Sequence, residues 1–161
     1  SRGYAWLALN YTGSSGLGRG YRSALFGGWG VLDRDDAGEA VAYLAGCGRA
    51  GIYGESAGGY NVLCSLAWLL GGTFAGGLCV SGVGDVAALA AESHKMESHY
   101  MGVQLRLASK ADSEKDALFR ACSPLFHADR ITAPMLLCPL PRAGRSSVSS
   151  RAAPGAVAMS I

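Results

Sequence analysis

The stretch GESAGGY, from Gly54 to Tyr60, fits the pattern G-x-S-x-G, and its surroundings decide the fold. A short apolar run, Ala50 to Tyr53, precedes it, and an apolar segment of helical length extends from about Gly59 to Leu70. The sequence therefore predicts a strand, a sharp turn and a buried helix in direct succession. A turn of this kind projects the serine hydroxyl above the edge of a sheet, where a second molecule reaches it.

Each residue of this turn has a predicted role. Ser56 is the candidate nucleophile, and the backbone N–H of Ala57, at the positive end of the helix dipole, is a candidate oxyanion donor. Gly54 and Gly58 are expected because side chains there would collide with the neighbouring strand and helix, and Gly59 eases helix packing. The alternative is a glycine-rich turn that happens to contain serine, but the strand–turn–helix setting favours the nucleophile.

Strand and helix signals alternate along the rest of the chain. Apolar runs predict buried strands at Tyr4–Asn10, Phe74–Ser81 and Met135–Cys138. A helix is predicted from about Asp33, and Asp85 is placed to cap a short alanine-rich helix. Ser113 and Asp116 have the spacing of a capping box for another helix. Such alternation predicts an α/β fold with a mainly parallel sheet flanked by helices.

Composition argues against several classes of partner. A formal net charge of +2 over 161 residues indicates neither a nucleic-acid nor a membrane-surface partner. No charged residue occurs from Ala57 to Gly84, a span long enough to cross a membrane, but Gly-Gly pairs and Asn61 interrupt it and favour a buried helix and strand. The five cysteines form no metal-binding spacing, so we expect no metal and no cofactor. Free thiols indicate an intracellular location, in the cytoplasm or an organelle.

Several segments around the turn resemble the catalytic domain of the prolyl oligopeptidase family of serine peptidases, particularly its dipeptidyl- and acylaminoacyl-peptidase-like branch. They are NYTGSSGLGRGYR (10–22), WGVLDRDD (29–36), YGESAGGY (53–60), HKMESHYM (94–101) and SPLFHADRITAPMLL (123–137). The resemblance implies an α/β-hydrolase fold and a serine-type peptidase that hydrolyses short peptides through an acyl-enzyme. It also implies that Ser56 is the nucleophile of the elbow and that the Ala57 amide is one oxyanion donor.

The resemblance further implies a triad acid and a histidine, in the chain order Ser, acid, His. The family places the acid just after its counterpart of the strand Met135–Cys138, and the histidine further on. The acids and histidines weighed for these roles stand elsewhere: Asp85, Asp129, His94, His99 and His127. We therefore identify no triad acid or histidine in this chain, and we expect negligible turnover from it.

The composition changes after Cys138, where arginines and serines occur without any acid. We expect 1–138 to be a partial α/β-hydrolase catalytic domain, incomplete at both ends, and 139–161 to be a divergent, flexible tail. A truncated gene model or a shifted reading frame after Cys138 would produce this break. The alternatives to a peptidase are an esterase or lipase-like hydrolase of small acyl substrates, and a catalytically inactive fragment. The HKMES and SPLFH segments favour the peptidase.

Overall fold

The computed structural model describes residues 6–44, 48–92, 100–107 and 110–139. The helices are α1 (Arg19–Ser23), α2 (Leu32–Tyr43), α3 (Ala57–Trp68), α4 (Val86–Glu92), α5 (Tyr100–Gln104) and α6 (Asp112–Cys122), with a 3-10 helix over Pro124–Arg130. The strands are β1 (Gly51–Glu55), β2 (Gly76–Val80) and β3 (Met135–Cys138). The predicted tail from residue 140 onward, His94 and His99 lie outside the described residues.

The strands of the described residues form one parallel sheet in the order β1-β2-β3. Gly54 pairs with Cys79, Glu55 pairs with Val80, and Val80 pairs with Cys138 on the other side. The carboxyl ends of the strands therefore align at one edge, called the carboxyl edge below. The prediction of a parallel sheet flanked by helices is confirmed.

Helix α3 is the centre of the packing. Every residue from Gly59 to Ala67 is buried, as expected of a helix with apolar neighbours on all sides. Val62 and Leu66 lie against the sheet, where a Cβ on Gly77 would come 2.8 Å from Leu66. On its other side α3 contributes to a second apolar cluster, which also contains Trp29. The predicted buried helix is therefore present.

None of the helices in the described residues is both long enough and apolar enough to cross a membrane.

The strand predicted at Tyr4–Asn10 is absent from its described part, residues 6–10, which are exposed and irregular. Trp6 and Leu7 expose 65% and 51% of their surface. The Trp6 ring contacts that of Tyr53 in β1, with the ring centroids 5.8 Å apart. The apolar run indicated a need for burial, but a strand also needs a hydrogen-bonded neighbour. Within the described residues β1 pairs with β2 alone.

The predicted helix starts are correct at α4 and displaced at α6. Asp85 caps α4 as expected, since its Oδ1 accepts the N–H groups of Ala87 at 2.9 Å and Ala88 at 3.1 Å. Helix α6 is preceded by Ala111 rather than Ser113. The carboxylate of Glu114 accepts the Ala111 N–H at 2.8 Å, because a glutamate three residues into a helix reaches back to the capping position.

Candidate active site

Ser56 is the single residue between β1 and α3. Its backbone has φ 54° and ψ −114°, a conformation that costs a residue with a side chain about 1–3 kcal/mol. Two hydrogen bonds hold it there. The Ser56 N–H donates to the Val80 carbonyl at 2.9 Å, and the Ser56 carbonyl accepts the Tyr60 N–H at 3.0 Å. The serine is thus fixed to the neighbouring strand and to its own helix while it remains exposed at the carboxyl edge.

The glycines around Ser56 differ in the contacts that a side chain at each position would make. A Cβ on Gly54 would overlap the carbonyl group of Gly58, and a Cβ on Gly59 would lie 2.7 Å from the Cα of Gly82. A Cβ on Gly58 would meet no atom of the described residues within 4 Å. The steric reason expected for Gly58 is therefore wrong. The backbone of Gly58 needs space, and the bare Cα of Gly54 provides it.

The amide of Ala57 is the first of the twelve-residue helix α3. No acid stands in the first turn, and the Ser56 side chain does not cap the helix. No acceptor within the described ranges is bonded to the Ala57 N–H. A free N–H at the positive end of a helix dipole is suited to an oxygen that gains negative charge. The structure thus leaves this group available, and its role as oxyanion donor stays a prediction.

His127 lies at the opposite end of α3 from Ser56. Its ring packs on that of Trp68, with the centroids 4.8 Å apart, and its Nε2 is 3.3 Å from the Arg120 carbonyl oxygen. Trp68 is the last residue of α3. At 1.5 Å per residue this helix is about 18 Å long, so the structure does not bring His127 to Ser56.

The candidate acids are also occupied or displaced. Asp85 lies beyond β2 toward the carboxyl edge, but its carboxylate is bonded to the first amides of α4. Asp129 is exposed on the 3-10 helix that precedes β3. In residues 6–44, 48–92, 100–107 and 110–139 no hydrogen bond or ion pair joins either carboxylate to a histidine. The predicted absence of a triad acid stays a prediction, since His94 and His99 lie outside these ranges.

Sequence reasoning missed the burial of Asp33, which it treated only as a first-turn acid. The side chain is almost fully buried and accepts the Gly30 N–H at 2.7 Å. Burial raises the pKa of the Asp33 carboxyl, and the neighbouring side-chain amide of Asn61 and the hydrogen bond from the Gly30 N–H oppose that rise. Asn61 lies in α3, so Asp33 links the start of α2 to the helix after Ser56. Gly30 also lies against the hydroxyl of Tyr60 in α3, and no residue beside Asp33 in the sequence indicates that contact.

The thiols near α3 are structural. Cys64 and Cys79 are buried, and desolvation raises the pKa of each thiol above its ordinary value. The Cys79 Sγ is 3.4 Å from the Gly59 carbonyl oxygen, so it packs under the turn that carries Ser56. Cys47 lies outside the described residues. Among the described side chains, no group of three or more His, Cys, Asp or Glu residues is placed to hold a metal ion.

A serine on a strained turn, at the carboxyl edge of a parallel sheet and before a buried helix, defines the class of α/β-hydrolases. The family model described as "Prolyl oligopeptidase family" matches residues 1–139. The chain belongs to this family of serine peptidases, which confirms the resemblance found in its segments.

Individual relatives agree with this assignment. Dipeptidyl peptidase family member 6 of Caenorhabditis elegans is 31% identical over 147 residues, which cover 85% of this chain and 19% of that protein. Dipeptidyl aminopeptidase BIII of Pseudoxanthomonas mexicana is 31% identical over 144 residues, covering 85% and 21%. The structure of a puromycin-hydrolyzing peptidase of Mycobacterium tuberculosis matches with a TM-score of 0.71 and 34% identity over 80% of this chain and 20% of that one. The chain thus spans about a fifth of the length of these curated relatives.

Proposed function

We propose that Ser56 is the nucleophile of a peptidase that cleaves short peptides through an acyl-enzyme. The observation that carries this proposal is that Ser56, strained at φ 54° and ψ −114°, directly precedes the uncapped helix α3 in a chain of a serine peptidase family. Strain of this kind persists where the surrounding structure imposes it, and it concentrates at active sites. The names of the relatives, a dipeptidyl peptidase, a dipeptidyl aminopeptidase and a puromycin-hydrolyzing peptidase, support short peptides as the substrate class.

In the proposed reaction the Ser56 Oγ attacks the carbonyl carbon of the scissile peptide bond and loses its proton to a base. The carbonyl oxygen becomes an oxyanion, which the Ala57 N–H stabilises; one such donor is worth roughly 3–4 kcal/mol. The C–N bond then breaks, the amine leaves with a proton, and a serine ester remains. Water attacks the ester, which releases the acid and restores the hydroxyl.

This mechanism requires a base that accepts the proton of the Ser56 hydroxyl. His127 packs on Trp68, the last residue of α3, whereas Ser56 directly precedes the first residue of that helix. An unassisted serine hydroxyl is a poor nucleophile. We therefore expect acylation of this chain to be slow and to accelerate when imidazole is added as a free base.

A fluorophosphonate probe tests the proposal on the full 161-residue chain. The expected result is slow labelling that mass spectrometry locates at Ser56 in preference to the other serines, and that imidazole accelerates. Ser56→Ala should abolish it, while Ser81→Ala, at the same sheet edge, should leave it unchanged. Labelling spread evenly over several serines would contradict the proposal.

The inactive alternative keeps support from the position of His127, and the same experiment addresses it. Rapid labelling without imidazole would show that a base is present, and His94→Ala and His99→Ala would then identify it. The esterase alternative is tested by comparing a dipeptide anilide with a short-chain ester under imidazole rescue. Cleavage of the ester alone would favour an esterase over the peptidase.

A further inference from the structure

Tyr60, the last residue of the stretch GESAGGY, has no role in the proposed reaction, yet its side chain is fully buried, with 0% of its surface exposed. Its ring packs on that of Trp29, with the centroids 4.1 Å apart. Its hydroxyl donates to the carbonyl oxygen of Cys122 at 2.8 Å. The side chain therefore joins the start of α3 to two segments that are distant from it in the sequence.

The backbone of the same residue contacts the turn at Ser56. The Tyr60 N–H donates to the Ser56 carbonyl at 3.0 Å. Ser56 itself stands at φ 54° and ψ −114°, and strain of this kind persists only where the surroundings impose it. Tyr60 is thus fixed at both ends, to the strained serine by its backbone and to Cys122 by its hydroxyl.

The hydroxyl of Tyr60 occupies a space that the chain keeps free for it. A Cβ on Gly30 would overlap the hydroxyl oxygen, so only a glycine fits there. The Asp33 carboxylate accepts the Gly30 N–H at 2.7 Å and holds that glycine in place. Burial raises the pKa of the Tyr60 phenol above its usual range, so the hydroxyl keeps its proton and remains a donor.

The acceptor of this hydrogen bond is also held in place. Cys122 is the last residue of α6, and the next residue, Ser123, is fully buried. The Ser123 hydroxyl donates to the Phe119 carbonyl at 2.6 Å and accepts the Val86 N–H, at the start of α4, at 2.9 Å. The carbonyl that Tyr60 contacts therefore belongs to a junction that is bonded to two helices.

From these contacts we propose that Tyr60 is a positioning residue for the reaction of Ser56. Its hydroxyl, bonded to the Cys122 carbonyl, fixes the first turn of α3, and the Tyr60 N–H then holds Ser56 in the strained conformation that presents its Oγ beside the Ala57 N–H. The proposal rests on the proposed function of Ser56. Without the hydroxyl the first turn of α3 is free to shift, and the turn at Ser56 relaxes for part of the time.

The test compares Tyr60→Phe, which keeps the ring and removes the hydroxyl, with Ser65→Ala. Ser65 supplies a matched control, because its hydroxyl makes another buried hydrogen bond of α3, to Asn61 Oδ1 at 3.1 Å. Imidazole-accelerated fluorophosphonate labelling of Ser56 is measured well below the unfolding temperature of each variant. We expect Tyr60→Phe to slow labelling about 3- to 10-fold, the range that one hydrogen bond provides, and Ser65→Ala to leave it unchanged. Equal slowing in both variants would overturn the proposal, because it would reflect stability alone.

Gly30→Ala tests the same hydroxyl without removing it, and it answers the question if Tyr60→Phe does not fold. Its new Cβ would displace the Tyr60 hydroxyl. Gly72→Ala is the control for backbone strain, because Gly72 has φ 93° against 81° for Gly30, and its Cβ would meet no described atom within 4 Å. Labelling should slow in Gly30→Ala alone. Unchanged labelling in a folded Gly30→Ala variant would contradict the proposal.

Hydrogen exchange of the backbone N–H at position 60 separates this proposal from the proposed function. That N–H is bonded to the Ser56 carbonyl, so its exchange reports whether the turn is held, even if Ser56 does not react. Tyr60→Phe should accelerate the exchange about 3- to 10-fold, and Ser65→Ala should not. Absence of labelling in the unaltered chain would refute the proposed function, and the exchange rates would still decide the role of Tyr60. Unchanged exchange in Tyr60→Phe would refute the positioning role in either case.

Discussion

The two serines that come directly after β1 and β2 show what distinguishes a functional turn from a structural one. Ser56 and Ser81 both have positive φ, 54° and 48°. Both leave parallel strands at the carboxyl edge, and both bond the next strand: the Ser56 N–H donates to Val80 and the Ser81 N–H to Cys138, each at 2.9 Å. Backbone strain beside a serine is therefore not sufficient to identify a nucleophile in this chain.

The segments on the C-terminal side of the two serines differ. Helix α3 begins directly after Ser56, and no side chain caps it. After Ser81 a connection over residues 82–85 comes before α4, whose first amides are bonded by Asp85. The N-terminus of α3, beside Ser56, has no side-chain acceptor and is available to an anion. At the N-terminus of α4, which follows Ser81, the carboxylate of Asp85 already accepts the first amides. A strained serine together with an uncapped helix is the combination that points to catalysis.

The largest expected effect is that of Gly54→Ala. Its Cβ would overlap the Gly58 carbonyl and come 2.9 Å from the Gly59 nitrogen. These are backbone atoms, so the turn itself would have to move, and we expect a loss of at least about 3 kcal/mol in unfolding free energy. Urea unfolding measures it.

Gly58→Ala is the matched control for Gly54→Ala. Its Cβ has open space within the described structure, and alanine is favoured over glycine inside a helix by roughly 0.5–1 kcal/mol. Stability should therefore be unchanged or rise slightly. Similar losses of stability in the two variants would contradict the prediction, because only the Cβ at Gly54 meets backbone atoms.

The sequence predicted those features that depend on residues close to one another in the chain. The turn at Ser56 is one, because its glycines, its serine and its apolar flanks are consecutive. The strand at Met135–Cys138 is another, and the structure has the same bounds. Asp85 as a cap is a third, because a cap contacts amides two and three residues away.

The features that the sequence did not reveal depend on contacts between distant residues. The apolar run at residues 6–10 needs a strand partner that its own residues do not specify. The burial of Asp33 depends on the packing of α3, far along the chain. Gly82 gave no signal of its importance, because its constraint is a contact with Gly59 across two elements.

Gly82→Ala tests whether the exit of β2 supports the turn at Ser56. The new Cβ would overlap the Cys79 Sγ and lie 2.8 Å from the Gly59 carbonyl carbon. We expect a loss of about 1–3 kcal/mol in unfolding free energy and slower probe labelling of Ser56. Gly84→Ala, where a Cβ meets nothing within 4 Å of the described atoms, should change neither quantity. A stable Gly82→Ala variant with normal labelling would show that the turn after β2 does not support the turn at Ser56.

Ser56→Gly isolates the strain of the turn when it is compared with Ser56→Ala. Both variants lack the hydroxyl, but only glycine adopts φ 54° and ψ −114° without penalty. The glycine variant should be the more stable by about 1–2 kcal/mol, as measured by thermal unfolding. At the exposed Ser113 in α6 the order should be reversed, because alanine is the better helix former. Alanine as the more stable variant at both sites would indicate that Ser56 is not strained.

Asp85→Ala should have the smallest effect, a loss of about 1 kcal/mol, because α4 loses the acceptor of its first amides. Asp85→Asn keeps an acceptor oxygen without the charge, and its unfolding free energy should fall by only a few tenths of a kcal/mol. Equal losses in the two variants would show that charge on the helix dipole, and not the hydrogen bond, is the stabilising part. Labelling of Ser56 should be unchanged in both, because the carboxylate contacts α4 and not the turn. A change in labelling would mean that the two strand exits are coupled through Asp85, and that the capped helix also contributes to the site at Ser56.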